Sequence, residues 1–128
     1  MKVYDCFMYF DEDLVLELRL NLLNKYVDYF VIVESKYNHK GETKKLNFNI
    51  KNYKKFEKKI IYLVFDQEPS DLFKFEKSDT QSDITSKYIF NAGKRENGQR
   101  NFISQGLKNA SNEDIICLLY TSDAADES

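Results

Sequence analysis

Short apolar runs recur along the chain in a way that predicts a parallel sheet. Runs at 3–8, 29–33 and 60–65 are rich in β-branched and aromatic residues, and a fourth run begins at 114–116. Residues of these types favour strands. Because the runs at 29–33 and 60–65 contain no charged residue, they are typical of strands that are covered on both faces, as in parallel sheets.

Between these runs, apolar residues recur at helical spacing. Helices are predicted over 12–25 and 94–109, and a short helix over 52–59. The apolar face of the first helix is defined by leucines at a spacing of four and widened by three more: Leu14, Leu18 and Leu22, then Leu16, Leu20 and Leu23. The alternation of strands and helices predicts an α/β domain, with right-handed crossovers and a mostly parallel sheet flanked by helices.

The stretch from 69 to 90 has a different composition. It contains the only proline and few apolar residues, and it is rich in Ser and Asp. A long polar loop inside a compact domain is usually either functional or disordered. This segment is therefore expected to be either a lid over a nucleotide site or a disordered segment.

Composition and charge disfavour several classes of function. A formal net charge of −2 over 128 residues disfavours a general nucleic-acid binder, which needs a clustered basic surface. No apolar stretch approaches the ~20 residues that span a membrane, and the start of the chain is too short and too polar for a signal peptide. A cytoplasmic protein is expected. Cys6, in an apolar run, is expected to be a buried thiol, with no disulfide framework and no zinc site.

Acidic side chains stand where predicted strands end. Glu34 ends the second strand, Asp66 follows the third, and an acidic loop at 11–13 follows the first. In open α/β sheets, ligands bind beyond the carboxyl ends of the strands. A carboxylate there accepts hydrogen bonds from a ribose hydroxyl or a base N–H. A helix cap or a turn is the structural alternative for each residue taken singly.

Cations near these ends suggest a phosphate contact. Lysines surround the turn at Gly41, and Arg95 and Arg100 lie on the later predicted helix; such cations could neutralise a diphosphate. Solvated helix-face cations are the alternative. There is no G-x-G-x-x-G motif and no P-loop. The single histidine, His39, has no Ser or Cys elbow beside it, so a hydrolytic triad is unsupported.

Longer blocks of the sequence resemble glycosyltransferase family 17, the β-1,4-mannosyl-glycoprotein 4-β-N-acetylglucosaminyltransferase family. The resemblance covers nearly all of residues 3–116, in the expected order. Its main blocks are Tyr4-Asp5-Cys6-Phe7-Met8-Tyr9-Phe10, Leu16-Glu17-Leu18-Arg19-Leu20-Asn21, Val27-Asp28-Tyr29-Phe30-Val31-Ile32-Val33-Glu34-Ser35, His39-Lys40-Gly41, Lys59-Ile60-Ile61, Arg95-Glu96-Asn97-Gly98-Gln99-Arg100-Asn101 and Glu113-Asp114-Ile115-Ile116.

The resemblance implies a GT-A-like, Rossmann-related domain that transfers N-acetylglucosamine from UDP-GlcNAc to a glycan acceptor, as in protein N-linked glycosylation. It implies a divalent cation, Mn²⁺ or Mg²⁺, as Lewis acid, with no ligands for it in this chain. By location it assigns donor binding to six residues: Glu34, Ser35, Lys44, Asp66, Arg100 and Asn101. Asp5, Glu17 and Arg19 match family positions, and Glu17 with Arg19 could equally form a structural ion pair.

The last twelve residues limit what the family resemblance implies for this chain. Residues 117–128 resemble a translated transposon adapter from sequencing-library preparation. We therefore expect a donor-binding part at 1–116, truncated and inactive alone, and a non-native tail at 117–128. Asp123 and Asp126 in that tail are not assigned as metal ligands. The alternative function is a non-catalytic α/β nucleotide-binding or interaction module.

Overall fold

A computed structural model of the chain describes residues 1–38 and 40–118. His39 and residues 119–128, which hold most of the expected tail, lie outside the described residues. The elements in chain order are β1 (Val3–Tyr9), α1 (Asp13–Leu23), β2 (Tyr29–Ser35), a first 3₁₀ helix (Ile50–Lys59), β3 (Ile60–Phe65), α2 (Gln81–Asn101), a second 3₁₀ helix (Phe102–Leu107) and β4 (Ile115–Leu118).

The four strands form one sheet in the order β3-β2-β1-β4, and every pair is parallel. The register places Cys6 of β1 opposite Val31 of β2 and opposite Leu118 of β4. The chain moves outward from β1 to β3 and then crosses to the other side of β1 to form β4. The predicted α/β class with a parallel sheet is confirmed.

Each face of the sheet carries its own core. On one face, α1 and the first 3₁₀ helix cover buried side chains of β1 and β2, including Phe7, Phe30 and Ile32. On the other face, the second 3₁₀ helix packs on Cys6 and Val33 through a core that contains Ile103. Burial on both faces explains why the sequences of β1 and β2 are continuous apolar runs. Cys6 is buried, as expected.

The predicted apolar face of α1 is wrong in part. Leu16 and Leu20 are buried against the sheet, whereas Leu14, Leu18 and Leu22 are 80%, 57% and 63% exposed. Both sets recur at a spacing of four, on opposite sides of the helix. Periodicity alone does not say which of two leucine stripes faces the sheet, because a helix that is apolar all round has no single preferred side.

The prediction of a polar loop over the whole of 69–90 is also wrong. Helix α2 begins at Gln81, where Thr80 and Asp83 form a capping box: the Thr80 side chain accepts from the Asp83 N–H, and the Asp83 side chain accepts from the Thr80 N–H. This cap satisfies N–H groups that the first helical turn leaves unpaired. The first half of α2 is almost wholly exposed, so no apolar periodicity marked it. Among the described helices, none is both long enough and apolar enough to cross a membrane.

Candidate functional site

The carboxyl ends of the first three strands meet at one edge of the sheet. The segments that leave this edge are 10–12 after β1, 36–49 after β2 and 66–80 after β3. Ligands of open α/β sheets bind beyond the carboxyl ends of the strands. The candidate site is therefore this carboxyl edge and the part of α2 that lies beside it.

Glu34 organises the segment that follows β2. Its side chain is fully buried. One oxygen, Oε2, accepts from Lys44 Nζ at 2.6 Å and from the backbone N–H of Asn47 at 2.7 Å. The other, Oε1, accepts from the Tyr62 hydroxyl at 2.7 Å and from the backbone N–H of Phe48 at 3.0 Å. A carboxylate offers about four acceptor positions, so these four bonds use all of them.

These contacts keep Glu34 ionised inside the protein. Burial by itself would raise the pKa of the carboxyl group. The hydrogen bonds from Lys44, the Asn47 amide, Tyr62 and the Phe48 amide outweigh burial, and the pKa of Glu34 lies below its ordinary value. The contact between Glu34 and Tyr62 has the opposite effect on the pKa of the phenol. Burial and the adjacent carboxylate raise the pKa of Tyr62.

A tight turn after β2 is fastened to α2. The Asn38 side-chain oxygen accepts from the N–H groups of Lys40 and Glu42, both at 2.9 Å. Gly41 adopts a φ of +83°, which favours glycine. A Cβ at Gly41 would clash with the guanidinium of Arg95, which also pairs with Glu68 at 3.1 Å. Arg95 thus joins the segments that follow β2 and β3.

An open groove of about 440 Å³ lies between the end of β3 and the last turns of α2. Its walls are mainly polar. The lining residues are Phe65, Gln67, Glu68, Pro69, Lys94, Asn97, Gly98 and Asn101. Gly98 allows α2 to approach the sheet closely, since a Cβ there would lie 3.0 Å from the Phe65 ring.

Two further contacts fix α2 against this edge. Gln99 Nε2 donates to the backbone carbonyl of Val33 at 2.9 Å, which ties α2 to the central strand β2. Lys94 pairs with Asp71 at 2.9 Å, where both side chains are solvent-exposed. The ammonium group of Lys94 is therefore held at the groove by a carboxylate from the segment after β3.

The six residues assigned to donor binding do not form a single cluster. Glu34 and Lys44 pair on the α1 side of the sheet, and Asn101 lines the groove on the α2 side. Ser35 is buried, and its Oγ accepts from the Tyr37 N–H at 3.0 Å. Asp66 is exposed just after β3. Arg100 pairs with Glu96 along α2 at 3.2 Å.

Sequence reasoning missed most of the groove lining, including Gln67, Glu68, Lys94 and Asn97. A signal for two of these residues was present. Lys94, Asn97 and Asn101 follow one another at spacings of three and four, which places them on one face of a helix. Such a polar stripe is by itself typical of a solvent-exposed helix face, so it does not point to a cleft until α2 is known to pack beside β3.

The alternative interpretation was a structural ion pair between Glu17 and Arg19. Arg19 does form an ion pair, but with a different partner. Arg19 donates from Nε to Asp5 Oδ2 at 2.7 Å and from Nη2 to Asp5 Oδ1 at 2.5 Å. Asp5 lies in the middle of β1 beneath α1 and is buried, whereas Glu17 is exposed. Residues two positions apart on a helix do not face each other, so Glu17 could not be the partner. The Asp5–Arg19 pair anchors α1 to β1.

The described residues do not fit a metal centre. Across 1–38 and 40–118, no three His, Cys, Asp or Glu side chains come together in a way that could hold an ion. At the carboxyl edge, Glu34 is paired with Lys44 and Glu68 with Arg95, and Asp66 is exposed. The described part of the chain therefore offers no cluster of side chains for a metal ion.

Comparison with known proteins identifies the family of this chain. The family model described as glycosyltransferase family 17 matches residues 1–126, nearly the whole chain. Neither the comparison with curated proteins nor the comparison with solved structures gives a match. With an all-parallel sheet, a polar groove at its carboxyl edge and a family match of this extent, the chain belongs to glycosyltransferase family 17.

Proposed function

We propose that the chain binds the donor of a reaction that transfers N-acetylglucosamine from UDP-GlcNAc to a glycan acceptor. Membership of glycosyltransferase family 17 supports the transfer of a sugar. The observation that carries the donor assignment is the polar groove between β3 and α2, at the carboxyl edge where α/β sheets bind ligands.

The amides of the groove suit the nucleoside. Asn97, Asn101 and Gln67 each offer both a donor and an acceptor. Uracil presents an N–H between two carbonyl oxygens, a pattern that a side-chain amide can match. Asp66, exposed beside the groove at the end of β3, is proposed to accept from a ribose hydroxyl.

Lys94 and Arg100 are proposed for the diphosphate. Lys94 lines the groove, and its partner Asp71 is exposed, so exchanging that partner for a phosphate oxygen costs little in water. Arg100 does not line the groove and pairs with Glu96, so its part in the proposal depends on leaving that partner when the donor binds. Cations near the leaving UDP would stabilise the negative charge that builds on it as the bond to the sugar breaks.

Glu34, Ser35 and Lys44 receive a different role in this proposal. The acceptor positions of Glu34 are filled by hydrogen bonds within the chain, and Lys44 is one of the donors. We propose that Glu34 and Lys44 hold the segment after β2 in place, and that Ser35 fixes the start of that segment through Tyr37. These residues shape the carboxyl edge rather than contact the nucleotide.

A binding experiment with matched variants tests the proposal. Isothermal titration should detect UDP-GlcNAc binding that N97A and N101A weaken by roughly tenfold each, about the value of one hydrogen bond to a charged or well-oriented group. The control N52A removes an exposed amide outside the groove and should leave affinity unchanged. Equal binding by all variants would contradict the proposal.

A second measurement separates the enzyme from the alternative module. Release of UDP from UDP-GlcNAc in the presence of a glycan acceptor indicates sugar transfer. Binding that depends on Asn97 and Asn101 without any turnover would favour the non-catalytic nucleotide-binding module.

A further inference from the structure

The segment between β3 and α2 lies along α2 as a strap. This strap, residues 66–80, contacts the helix at successive points. In order along the strap, the contacting pairs are Glu68 with Arg95, Asp71 with Lys94, Phe73 with Asn91, and Asp79 with Lys87. Because the partners on α2 move toward the start of the helix as the strap advances, the strap runs antiparallel to α2.

The half of the strap away from the groove is firmly held. Asn91 is 4% exposed, and its side chain makes two hydrogen bonds with the Phe73 backbone, at 2.8 and 2.9 Å. The Lys87 ammonium group contacts both carboxylate oxygens of Asp79, at 3.0 and 2.9 Å, and the Asp79 side chain is only 7% exposed. Separating such groups leaves polar atoms without partners away from water, which is costly. This half, residues 73–80, is therefore an anchor.

The half next to the groove, residues 66–72, is held by a weaker contact. The side chains of Lys94 and Asp71 are 39% and 57% exposed, and ion pairs in water contribute little to stability. Three of the residues that line the groove lie in this half: Gln67, Glu68 and Pro69. This half can therefore move while the anchor stays in place, and its movement changes one wall of the groove.

We propose that residues 66–72 are a lid on the groove, hinged at Phe73, and that the Asp71–Lys94 ion pair is its latch. This inference rests on the proposed binding of the donor in the groove. Without a ligand, the Asp71 carboxylate occupies the ammonium group of Lys94. A phosphate oxygen that takes Lys94 releases Asp71, and the lid is then free to turn about the hinge. Asp71 is thus an internal competitor of any anionic ligand.

The latch can be tested first without a ligand. Heteronuclear NOE measurements on isotope-labelled chain report the motion of backbone amides. D71N should lower the NOE in the lid and leave the anchor unchanged, whereas N91A should lower it in both halves. Because Asp71 is exposed, D71N should keep its fold, as circular dichroism would verify. A lid whose NOE does not change in D71N would overturn the latch.

Titration with UDP tests the effect on binding. D71N should bind UDP about threefold more tightly, because the latch no longer competes for Lys94. N91A should bind UDP roughly fivefold more weakly, because the ligand must then order the strap. Damage to the fold would weaken binding in both variants, so the opposite signs separate a latch from a structural role. E57Q removes an exposed carboxylate outside the groove and should leave affinity unchanged.

The outcomes separate this inference from the proposed function. Equal affinity of D71N and the native chain for UDP would overturn the latch and leave donor binding standing. If neither the native chain nor any variant binds UDP, the proposed function fails and the latch fails with it.

Discussion

Replacing Glu34 with Gln tests whether this buried carboxylate anchors the segment after β2. The substitution keeps the size of the side chain and removes its charge. An amide has one oxygen to accept hydrogen bonds, while four donors point at the carboxylate: Lys44 Nζ, the N–H groups of Asn47 and Phe48, and the Tyr62 hydroxyl. The amide nitrogen of Gln would face donors, and at least one of them would lose its acceptor.

The structure sets the size of the effect. Removing one partner of a buried ion pair costs about 3–5 kcal/mol. The Lys44 side chain keeps 11% of its exposure, so water can still solvate part of its charge, which favours the lower end. We expect E34Q to lower the free energy of unfolding by about 3 kcal/mol. With a urea m-value of about 2 kcal/mol/M, the unfolding midpoint falls by about 1.5 M.

Urea unfolding of monomeric protein, followed by circular dichroism, measures the effect. E57Q is the matched control, because Glu57 is an exposed carboxylate on the neighbouring 3₁₀ helix and surface substitutions change stability by about 0.5 kcal/mol or less. The reasoning is refuted if the midpoint of E34Q moves no further than that of E57Q.

The pH dependence gives a second check on Glu34. Its folded-state pKa lies below the ordinary value of 4.5, so the stabilisation is fully present above that value and is lost as the pH falls through the folded-state pKa. The stability difference between the native chain and E34Q should therefore be constant near neutrality and shrink below about pH 4.5. A difference that persists unchanged in acid would contradict the assignment.

Three further substitutions probe the supports of the carboxyl edge. G41A should cost about 1–2 kcal/mol in urea unfolding, because a side chain disfavours the positive φ and the added Cβ would meet Arg95; G93A, where the Cβ meets open space, is its control. N91A removes both hydrogen bonds that the buried Asn91 makes with the Phe73 backbone, so limited proteolysis should cut the segment 66–80 faster. T80A removes the helix cap of α2 and should cost about 1 kcal/mol; an unchanged unfolding midpoint would argue against the cap.

The two central strands, β1 and β2, could be predicted from sequence because they are buried on both faces. The run 60–65 also matches β3 residue for residue, although β3 is an edge strand and is only partly buried. The parallel order followed from the alternation of elements. By contrast, α1 carries two leucine stripes, and the choice between them depends on tertiary contacts such as the Asp5–Arg19 pair, which local periodicity does not contain.

The candidate site could be predicted only by its location. The predicted ends of the strands correctly placed Glu34 and Asp66 at the carboxyl edge, because the apolar runs show where each strand ends. The direction of the Glu34 side chain, toward Lys44 and the loop amides, depends on the path of residues 44–48, which no local pattern specifies. The groove with Asn97 and Asn101 requires α2 to pack beside β3, a long-range contact.

Mapping nucleotide binding residue by residue tests the central claim most directly. We would titrate UDP into isotope-labelled chain and follow the backbone amide shifts by two-dimensional NMR. The account predicts that the largest changes fall on the groove, at Gln67, Asn97, Gly98 and Asn101, with no change at Asn49 or Glu57 on the far side of the sheet. Changes confined to other regions, or none at saturating UDP, would contradict the account.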